Sequence, residues 1–347
     1  MHPFFRNMRH RAGIIVAVLL ALAFASLALS GISGSVTLAL ADIPAALAEI
    51  VHGKLDGVEH GASLAATLLE LRLGRALTAF VTGAALSLAG VMMQALLRNP
   101  LADPFVLGVS AGASVGALSA LLLLGTLWMV DAAAFAGAIG VAMLLYFLAR
   151  RDLRGGAAAE GGASSLLLTG AVLSSACMAL VTLMLSVAPE GRLRSMVFWM
   201  IGDLSGAPLR LAPWLVLAAA LLFALRSARA LNVMALHAEA ATTLGVRVGA
   251  LRKSLFFCSG LLTASAVTNG GSIGFVGLIV PHALRFACGP DHRLLLPAAA
   301  LAGGSFLVLA DTLARTLLAP QQLPVGVVTA LIGAPVFLYQ LHRLRRT

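Results

Sequence analysis

Long runs of apolar residues alternate along the chain with short segments that carry most of its charged side chains. A helix needs about 20 mostly apolar residues to cross the hydrocarbon core of a bilayer, and most of these runs approach that length. We therefore predict an all-α polytopic membrane protein. Its transmembrane helices, about ten in number, are predicted near residues 13–31, 76–97, 105–126, 129–149, 166–187, 211–226, 254–272, 274–288, 294–314 and 324–342.

The two spans predicted between residues 254 and 288 depend on a polar break inside one long apolar stretch. The sequence Asn269-Gly270-Gly271-Ser272 combines two glycines with two hydrogen-bonding side chains, and such a cluster favours a break in the chain. If the stretch formed a single span, the count would fall to nine and the C-terminus would change sides.

Two other segments are too polar or too interrupted to cross the membrane. Residues 32–71 contain a short helical pattern around Ile43–Val51, which we expect to lie outside the membrane. Residues 188–210 are predicted to form an external excursion with a short re-entrant or interfacial helix, and Trp199 suits a position at the membrane interface.

The distribution of Lys and Arg indicates the orientation of the chain. With the N-terminus inside, the cytoplasmic segments hold more than twice as many Lys and Arg residues as the external ones, as the positive-inside rule requires. The basic C-terminal sequence HRLRR favours ten spans over nine. We predict a cytoplasmic N-terminus at residues 1–12, followed by an uncleaved first span, and a cytoplasmic C-terminus at residues 343–347.

The composition agrees with residence in lipid. Of the 347 residues, 60% are hydrophobic and 11% are charged, whereas a soluble domain is about 25% charged. The gaps between spans are too short for a soluble domain, so residues 1–347 are expected to form a single transmembrane domain. The net charge of +10 comes from short clusters rather than from one basic face, which argues against nucleic-acid binding.

The sequence motifs offer little support for enzymatic chemistry. Neither Lys54 nor Lys253 has the spacing of a Walker A phosphate-binding loop, and the chain has no catalytic-serine or zinc-protease motif. We therefore predict a transport protein with no catalytic residue, metal ligand or bound cofactor. A self-contained secondary transporter of a small metabolite and an intramembrane enzyme are the alternatives. Both would require ionisable or catalytic groups within the spans, and the sequence places few there.

Four segments of the chain carry a specific pattern. They are residues 72–117, which begin RLGRALTAFVTG, and residues 235–246, 271–297 and 309–341. In this order and spacing they resemble the FecCD-type permease family of ATP-binding-cassette (ABC) importers, which carry ferric siderophores, haem and cobalamin. The resemblance implies a type II ABC importer permease fold in the bacterial inner (cytoplasmic) membrane.

The resemblance also implies partners. The chain would form a homodimer or pair with a paralogous permease. Two cytoplasmic ATPase subunits would use ATP and Mg²⁺, and a periplasmic or lipid-anchored substrate-binding protein would deliver the iron chelate or cobalamin. This chain would then supply the path through the lipid membrane.

Three arginines are candidates for docking the binding protein. Arg72, Arg75 and Arg315 lie at the outer ends of predicted spans, where the family uses arginines to bind acidic residues of that partner. A guanidinium suits this role because it binds a carboxylate bidentately. The alternatives are anchors that reach the lipid headgroups and, for Arg315, an ion pair with Asp311 four residues earlier on the same helical face.

The loop at about residues 229–250 is the candidate for coupling to the ATPase. In the family this loop forms helices that sit in a groove of the ATPase, although here His237-Ala238 replace the usual Gly-Glu. An ordinary connector is the alternative. The coupling residues that the resemblance implies are Leu236, Glu239, Ala240, Leu244 and Gly245.

Two further sets of small residues are assigned by spacing and by resemblance. Gly108, Gly112 and Gly116 recur every four residues, which predicts a helix face for close packing. Ser164 and Ser165 begin the fifth predicted span, and the resemblance places them near the cytoplasmic gate of the pathway.

Overall fold

A computed structural model describes residues 3–56, 63–123, 125–153, 162–236 and 238–344 of the chain. The description excludes the side chains of residues 3–9, 53–56, 127, 162, 163, 236, 238–240, 341, 343 and 344. The cytoplasmic side predicted for the two chain ends stays a prediction, and residues 1, 2 and 345–347 of those ends lie outside the described ranges.

Within these ranges the chain forms thirteen α-helices and no β-strand, which confirms the all-α prediction. Short 3₁₀ turns at Leu40–Asp42 and Pro104–Leu107 precede α2 and α4. The helices are α1 (Pro3–Ile32), α2 (Ile43–Asp56), α3 (Leu64–Leu97), α4 (Val109–Leu123), α5 (Leu127–Ala149), α6 (Gly162–Ser186), α7 (Glu190–Ile201), α8 (Leu211–Leu236), α9 (Ala238–Thr243), α10 (Val248–Gly270), α11 (Val276–Cys288), α12 (His292–Thr316) and α13 (Val325–Leu344).

Each predicted span has a helix at its position. By length and composition, α1, α3, α5, α6, α8 and α12 can cross a membrane. Helix α10 and the shorter apolar helices α4, α11 and α13 fill the other four positions. The predicted break is present, since α10 ends at Gly270 and α11 begins at Val276. The chain therefore does not pass through this stretch as one helix.

Two of the predicted spans are shorter in the structure. Helix α11 has 13 residues, which at 1.5 Å per residue is about 20 Å against a core of about 30 Å. Helix α4 has 15 residues because the 3₁₀ turn at Pro104–Leu107 delays its start. The predicted spans at 274–288 and 105–126 are thus helices too short to cross the hydrocarbon core alone.

Helix α3 forms the centre of the molecule. It has 34 residues, and 89% of its most apolar 18-residue stretch is buried. A Cβ atom on Gly83 would strike the backbone of Gly303 in α12, and one on Gly90 would strike the carbonyl group of Gly277 in α11. In lipid, helices associate through such close backbone approach, so these glycines allow α11 and α12 to pack directly on α3.

The outer faces of α1, α5, α6 and α8 carry the exposed apolar surface. Only 17–28% of the most apolar 18-residue stretch of each of these helices is buried. Phe24, Phe147 and Leu168 are 77%, 61% and 68% exposed. Continuous exposed apolar area of this kind requires lipid or another protein as its neighbour.

The short helices lie between the apolar ones. Helix α2 matches the pattern predicted around Ile43–Val51 and packs Ala46 against Leu69 of α3. Glu49 accepts hydrogen bonds from the hydroxyl and the backbone N–H of Ser63, at 2.6 and 2.7 Å, and these bonds lower the pKa of the Glu49 carboxylate. Helix α7 is the helix predicted within residues 188–210.

Candidate functional sites

Three arginines and one aspartate meet where the ends of α1, α3 and α12 come together. We call Arg72, Arg75, Asp311 and Arg315 the outer arginine cluster. Arg75 donates from Nε and Nη2 to the carboxylate of Asp311 at 2.7–3.1 Å. The Nε atom of Arg315 lies 3.1 Å from Oδ2 of the same carboxylate. Asp311 is fully buried, and a buried carboxylate is tolerated when cations and hydrogen bonds compensate its charge.

Other contacts of the outer arginine cluster hold the end of α1. Arg72 donates to the carbonyl oxygen of Ile32 at 2.8 Å and to that of Val36. Arg315 donates from Nη2 to the hydroxyl of Ser30 at 2.7 Å. The last carbonyl groups of a helix lack intrahelical donors, and guanidinium groups supply such donors here.

The docking role expected from the sequence for these three arginines stays a prediction. Arg72 and Arg315 are 6% and 4% exposed, and the side chain of Arg75 is 12% exposed. The ion pair of Arg315 with Asp311, which was the alternative, is present. In this conformation Arg72 and Arg315 contact the end of α1. Arg75 reaches the exposed edge, where it donates to Oε1 of Gln322 at 2.8 Å.

A second candidate site is a buried junction of helix ends. It joins the end of α7, the break between α10 and α11, and the start of α13. The N–H of Gly326 donates to the carbonyl of Gly202 at 3.1 Å, and a Cβ on Gly326 would strike the carbonyl of Ile201. A Cβ on Gly271 would likewise strike the carbonyl of Trp199. Non-helical backbone at membrane depth is tolerated where protein buries it or a cavity solvates it.

A cavity of about 550 Å³, which we call the outer cavity, lies beside this junction. Arg210 donates to Asp131 at its edge, and so joins the starts of α5 and α8. Broken helices with polar surroundings are how many transporters build their pathways. The polar side chains of the lining include Asp131, Arg194, Asp203, Arg210, Thr268 and Asn269.

The predicted coupling loop consists of the end of α8, the short helix α9 and the start of α10. The backbone of Leu236 ends α8, and the backbones of Glu239 and Ala240 lie in α9. The side chains of these three residues are outside the described part of the chain, so their contacts stay a prediction. Leu244 and Gly245 follow α9 directly.

Gly245 gives α9 a sharp end. Its φ of +81° lies in the left-handed region, which glycine adopts without steric cost. The N–H of Gly245 donates to the carbonyl of Thr242 at 3.0 Å, and that of Val246 to the carbonyl of Ala241 at 2.9 Å. These two bonds form a Schellman motif. The motif leaves the side chain of Leu244 70% exposed, as an apolar side chain that enters a partner's groove must be.

The three predicted packing glycines occupy two different environments. Gly112 and Gly116 face α5, where a Cβ would strike the carbonyl groups of Gly137 and Ala133. Gly108 precedes α4 and ends the 3₁₀ turn with a φ of +74°. The packing face on α4 thus includes two of the three glycines, and Gly108 shapes the turn that leads into it.

Ser164 and Ser165 lie in the first turn of α6 and are both exposed. The backbone carbonyl of Ser165 accepts a hydrogen bond from the hydroxyl of Thr169 at 2.9 Å. The next residue, Leu166, lines a cavity at the inner ends of the helices. Their role at a gate stays a prediction. Within the described residues no group of three or more His, Cys, Asp or Glu side chains is placed to hold a metal ion.

Sequence reasoning missed the partners that distant segments provide. The junction glycines Gly202 and Gly326 end or begin apolar helices, but nothing in their local sequence indicates that they meet. The pair Asp131 and Arg210 did carry a signal. Both residues lie at the external starts of predicted spans, where two opposite charges on the same side of the membrane are candidates for pairing.

Three features define a polytopic membrane transport subunit: the apolar helices, the buried junction of broken helices, and the exposed turn at Leu244 and Gly245, which we call the inner turn. The chain belongs to the FecCD transport family, whose model matches residues 15–343. This match confirms the resemblance found in the four sequence segments.

Similar proteins extend this result. The chain is 42% identical over 282 residues to the vitamin B12 import system permease protein BtuC of Escherichia coli O9:H4 (strain HS), which covers 80% of this chain and 84% of that protein. The protein of the same name from Shigella boydii serotype 18 matches equally, at 42% identity. A solved structure of a metal-chelate type ABC transporter in an inward-facing conformation has a TM-score of 0.79 at 29% identity, and the match covers 95% of this chain and 99% of that one.

Proposed function

We propose that this chain is the membrane-spanning permease subunit of an ABC importer that carries cobalamin or an iron chelate, such as a siderophore or haem, across the bacterial inner membrane. The observation that carries the proposal is the similarity to vitamin B12 import permeases over 80% of the chain. A structural match to a metal-chelate type ABC transporter over 95% of the chain supports the same class of substrate.

The inner turn supports an ATPase partner. Leu244 is an exposed apolar side chain on a turn that the Schellman motif makes rigid. A rigid turn can transmit closure of a nucleotide-driven partner to α8, which ends beside it, and to α10, which begins beside it. Because the chain lacks a Walker A motif, ATP and Mg²⁺ would be used by two separate cytoplasmic subunits.

The outer surface supports a substrate-binding protein as a second partner. The outer arginine cluster contains three guanidinium groups and one carboxylate, so its field attracts an acidic surface. Arg75 is the member of the cluster that reaches the exposed edge. The apolar outer faces of α5, α6 and α8 offer area for a second permease, either a copy of this chain or a paralogue.

A secondary transporter is less well supported by the geometry. Such a protein needs a buried ionisable group that a coupling ion can reach. Asp311 is the fully buried carboxylate of α12, and two arginines already compensate its charge.

Reconstitution tests the proposal. The chain, its ATPase and its binding protein are incorporated into liposomes, and uptake of radiolabelled cyanocobalamin and of a ferric siderophore is measured. We expect ATP-dependent uptake of one of these substrates only when all components are present. The purified chain alone is expected to hydrolyse no ATP. Hydrolysis by the isolated chain, or uptake driven by an ion gradient without the ATPase, would show that the assignment is wrong.

A further inference from the structure

A second cavity lies where the inner ends of α3, α8, α10, α11 and α12 meet, and we call it the inner cavity. Its volume is about 560 Å³. Pockets of roughly 300–1,000 Å³ hold small organic ligands, so the inner cavity is larger than a bare inorganic ion requires. Its polar lining consists of Gln94, Arg98, Asp152, Arg252, Arg285 and His292.

The charge of this lining is strongly positive. Three arginines face the inner cavity, and Asp152 is the one carboxylate among its described lining residues. Arg252 is only 6% exposed, and its Nε atom has no hydrogen-bond partner in the described part of the chain. A buried guanidinium N–H without an acceptor is costly. The inner cavity therefore has the features of a site whose anion is supplied from outside the chain.

Two other lining groups are oriented by the fold and keep hydrogen-bonding capacity. Arg285 donates from Nε to Oε1 of Gln94 at 3.3 Å, and its guanidinium lines the inner cavity. His292 bonds through Nδ1 to Oδ1 of Asn232 at 2.7 Å. Since that oxygen is an acceptor, Nδ1 carries the proton. The buried Nε2 of His292 has no partner in the described chain, and in the neutral ring it accepts a hydrogen bond.

We propose that the inner cavity binds a phosphate-bearing organic anion. The forked guanidinium groups of Arg252 and Arg285 bind the phosphate oxygens, as arginine forks do in other phosphate sites. The Nε2 atom of His292 accepts a hydrogen bond from a hydroxyl group of the ligand. Two sources have this chemistry: the glycerol phosphate headgroup of an anionic lipid in the inner leaflet, and a soluble phosphate ester.

The position of the inner cavity suggests what occupancy would do. Ala235, one residue before the end of α8, lines it, and Arg252 lies in the first turns of α10. These two helices flank the turn that carries Leu244. A bound anion would join α10 to α11 through Arg252 and Arg285, and would so stabilise the start of α10 beside the turn. This consequence is separate from the proposed transport function, because binding can be measured on the chain alone.

The test uses the purified full-length chain in detergent. Native mass spectrometry and thermal unfolding are measured with phosphatidylglycerol, with phosphatidylcholine, and with soluble glycerol 3-phosphate. The variants are Arg252→Gln, Arg285→Gln and the control Arg229→Gln, which removes an exposed arginine of α8 that does not line the inner cavity. Arg285 is half-buried, so Arg285→Gln carries the test if Arg252→Gln does not fold.

We expect phosphatidylglycerol or glycerol 3-phosphate to bind and to raise the unfolding temperature, and the cavity variants to weaken binding about tenfold or more. The control should leave binding unchanged. Binding of phosphatidylglycerol alone identifies the lipid source, and binding of both ligands identifies the phosphate ester itself as sufficient. If neither ligand binds, or if Arg229→Gln weakens binding as much as Arg285→Gln, the proposal is wrong. It is also wrong if the cavity variants change only association with the ATPase, since the arginines would then bind an acidic protein surface.

Discussion

At the scale of single residues, Asp103 combines a structural role with an electrostatic cost. It lies in the loop between α3 and α4, where its Oδ1 atom accepts a hydrogen bond from the N–H of Phe105 at 2.8 Å and caps the 3₁₀ turn. Burial raises the pKa of Asp103 from 3.8 to about 6, although the bond from Phe105 opposes the shift. The folded chain therefore binds this proton more tightly than the unfolded chain does.

This shift has a defined consequence for stability. The contribution of Asp103 is most favourable below pH 3.8 and is lost as the pH rises through about 6. Asparagine keeps the cap and removes the charge. We expect Asp103→Asn to raise the free energy of unfolding at pH 7.5 by about 1–2 kcal/mol, less than the full shift implies because the side chain is only partly buried. At pH 4 the gain should be much smaller.

Unfolding of the chain in detergent, followed across pH 4–7.5, checks this prediction. Asp203→Asn is the matched control, because Asp203 also caps a local turn, through the N–H of Ser205 at 2.9 Å. A constant difference between Asp103→Asn and the wild type over the whole pH range would contradict the argument.

The sequence predicts which charges lie at the same end of the helices better than it predicts the exposure of those charges. Arg72, Arg75 and Arg315 were expected together at the outer mouth, and the structure does bring them together. Their burial follows from Asp311 and from the carbonyl groups at the end of α1. Asp311 was recognised because it shares a helical face with Arg315, whereas the contact of Arg72 with Val36 depends on the path of a loop.

At the scale of helices, the junction of α7, α10, α11 and α13 depends on close backbone contact. A Cβ on Gly326 would strike the carbonyl oxygen of Ile201. We expect Gly326→Ala to cost about 1–3 kcal/mol of stability, as overpacking does, and to reduce transport by the reconstituted complex. Gly140→Ala in α5 is the control, since a Cβ there has nothing within 4 Å, and it should be neutral or stabilising.

Thermal unfolding of both glycine variants in detergent measures the difference between them. Equal unfolding temperatures for Gly326→Ala and Gly140→Ala would show that the junction can shift to admit a methyl group. The close contact would then contribute nothing to the stability of the fold.

The inner turn leads to a prediction about assembly with the ATPase. Burying a leucine side chain contributes about 1.5–3 kcal/mol, which corresponds to roughly tenfold to hundredfold in affinity. We expect Leu244→Ser to weaken binding of the ATPase by at least tenfold while the fold is unchanged, because Leu244 is 70% exposed in the chain alone. Leu209→Ser is the control: Leu209 is 51% exposed and lies on the predicted external side.

Affinity of the purified chain for the ATPase, measured by microscale thermophoresis, checks this prediction. If Leu244→Ser and Leu209→Ser bind the ATPase equally well, Leu244 belongs to an ordinary connector.

Helix positions were predictable from local sequence, but helix lengths in the interior were not. Asn269 and the two glycines after it interrupt an apolar run, so the break between α10 and α11 was visible. The short length of α11 was not. It begins where Gly277 meets Gly90 of α3, and such a contact between distant segments leaves no periodic signal in either one.

At the scale of the whole molecule, the outer arginine cluster raises the question of whether it serves folding, docking or both. Two charge changes distinguish these roles, because both weaken the fold but they should affect docking differently. Arg75→Glu reverses a charge at the exposed edge of the cluster and also breaks the pair with Asp311. Asp311→Asn breaks the same pair and leaves the surface more positive. Both changes should destabilise the fold, and Asp311→Asn by about 3–5 kcal/mol because it leaves buried guanidinium groups without their counter-charge.

Docking should separate the two variants. Electrostatic steering acts mainly on the association rate and is screened by salt. We expect Arg75→Glu to slow association of the binding protein several-fold at low ionic strength, and Asp311→Asn to leave the rate unchanged or to increase it. Surface plasmon resonance on permease in nanodiscs measures the rates at two salt concentrations, with Arg229→Glu on the predicted cytoplasmic side as the control for charge reversal. If the rate falls equally in Arg75→Glu and Asp311→Asn, docking follows stability alone, and all three arginines act only within the chain.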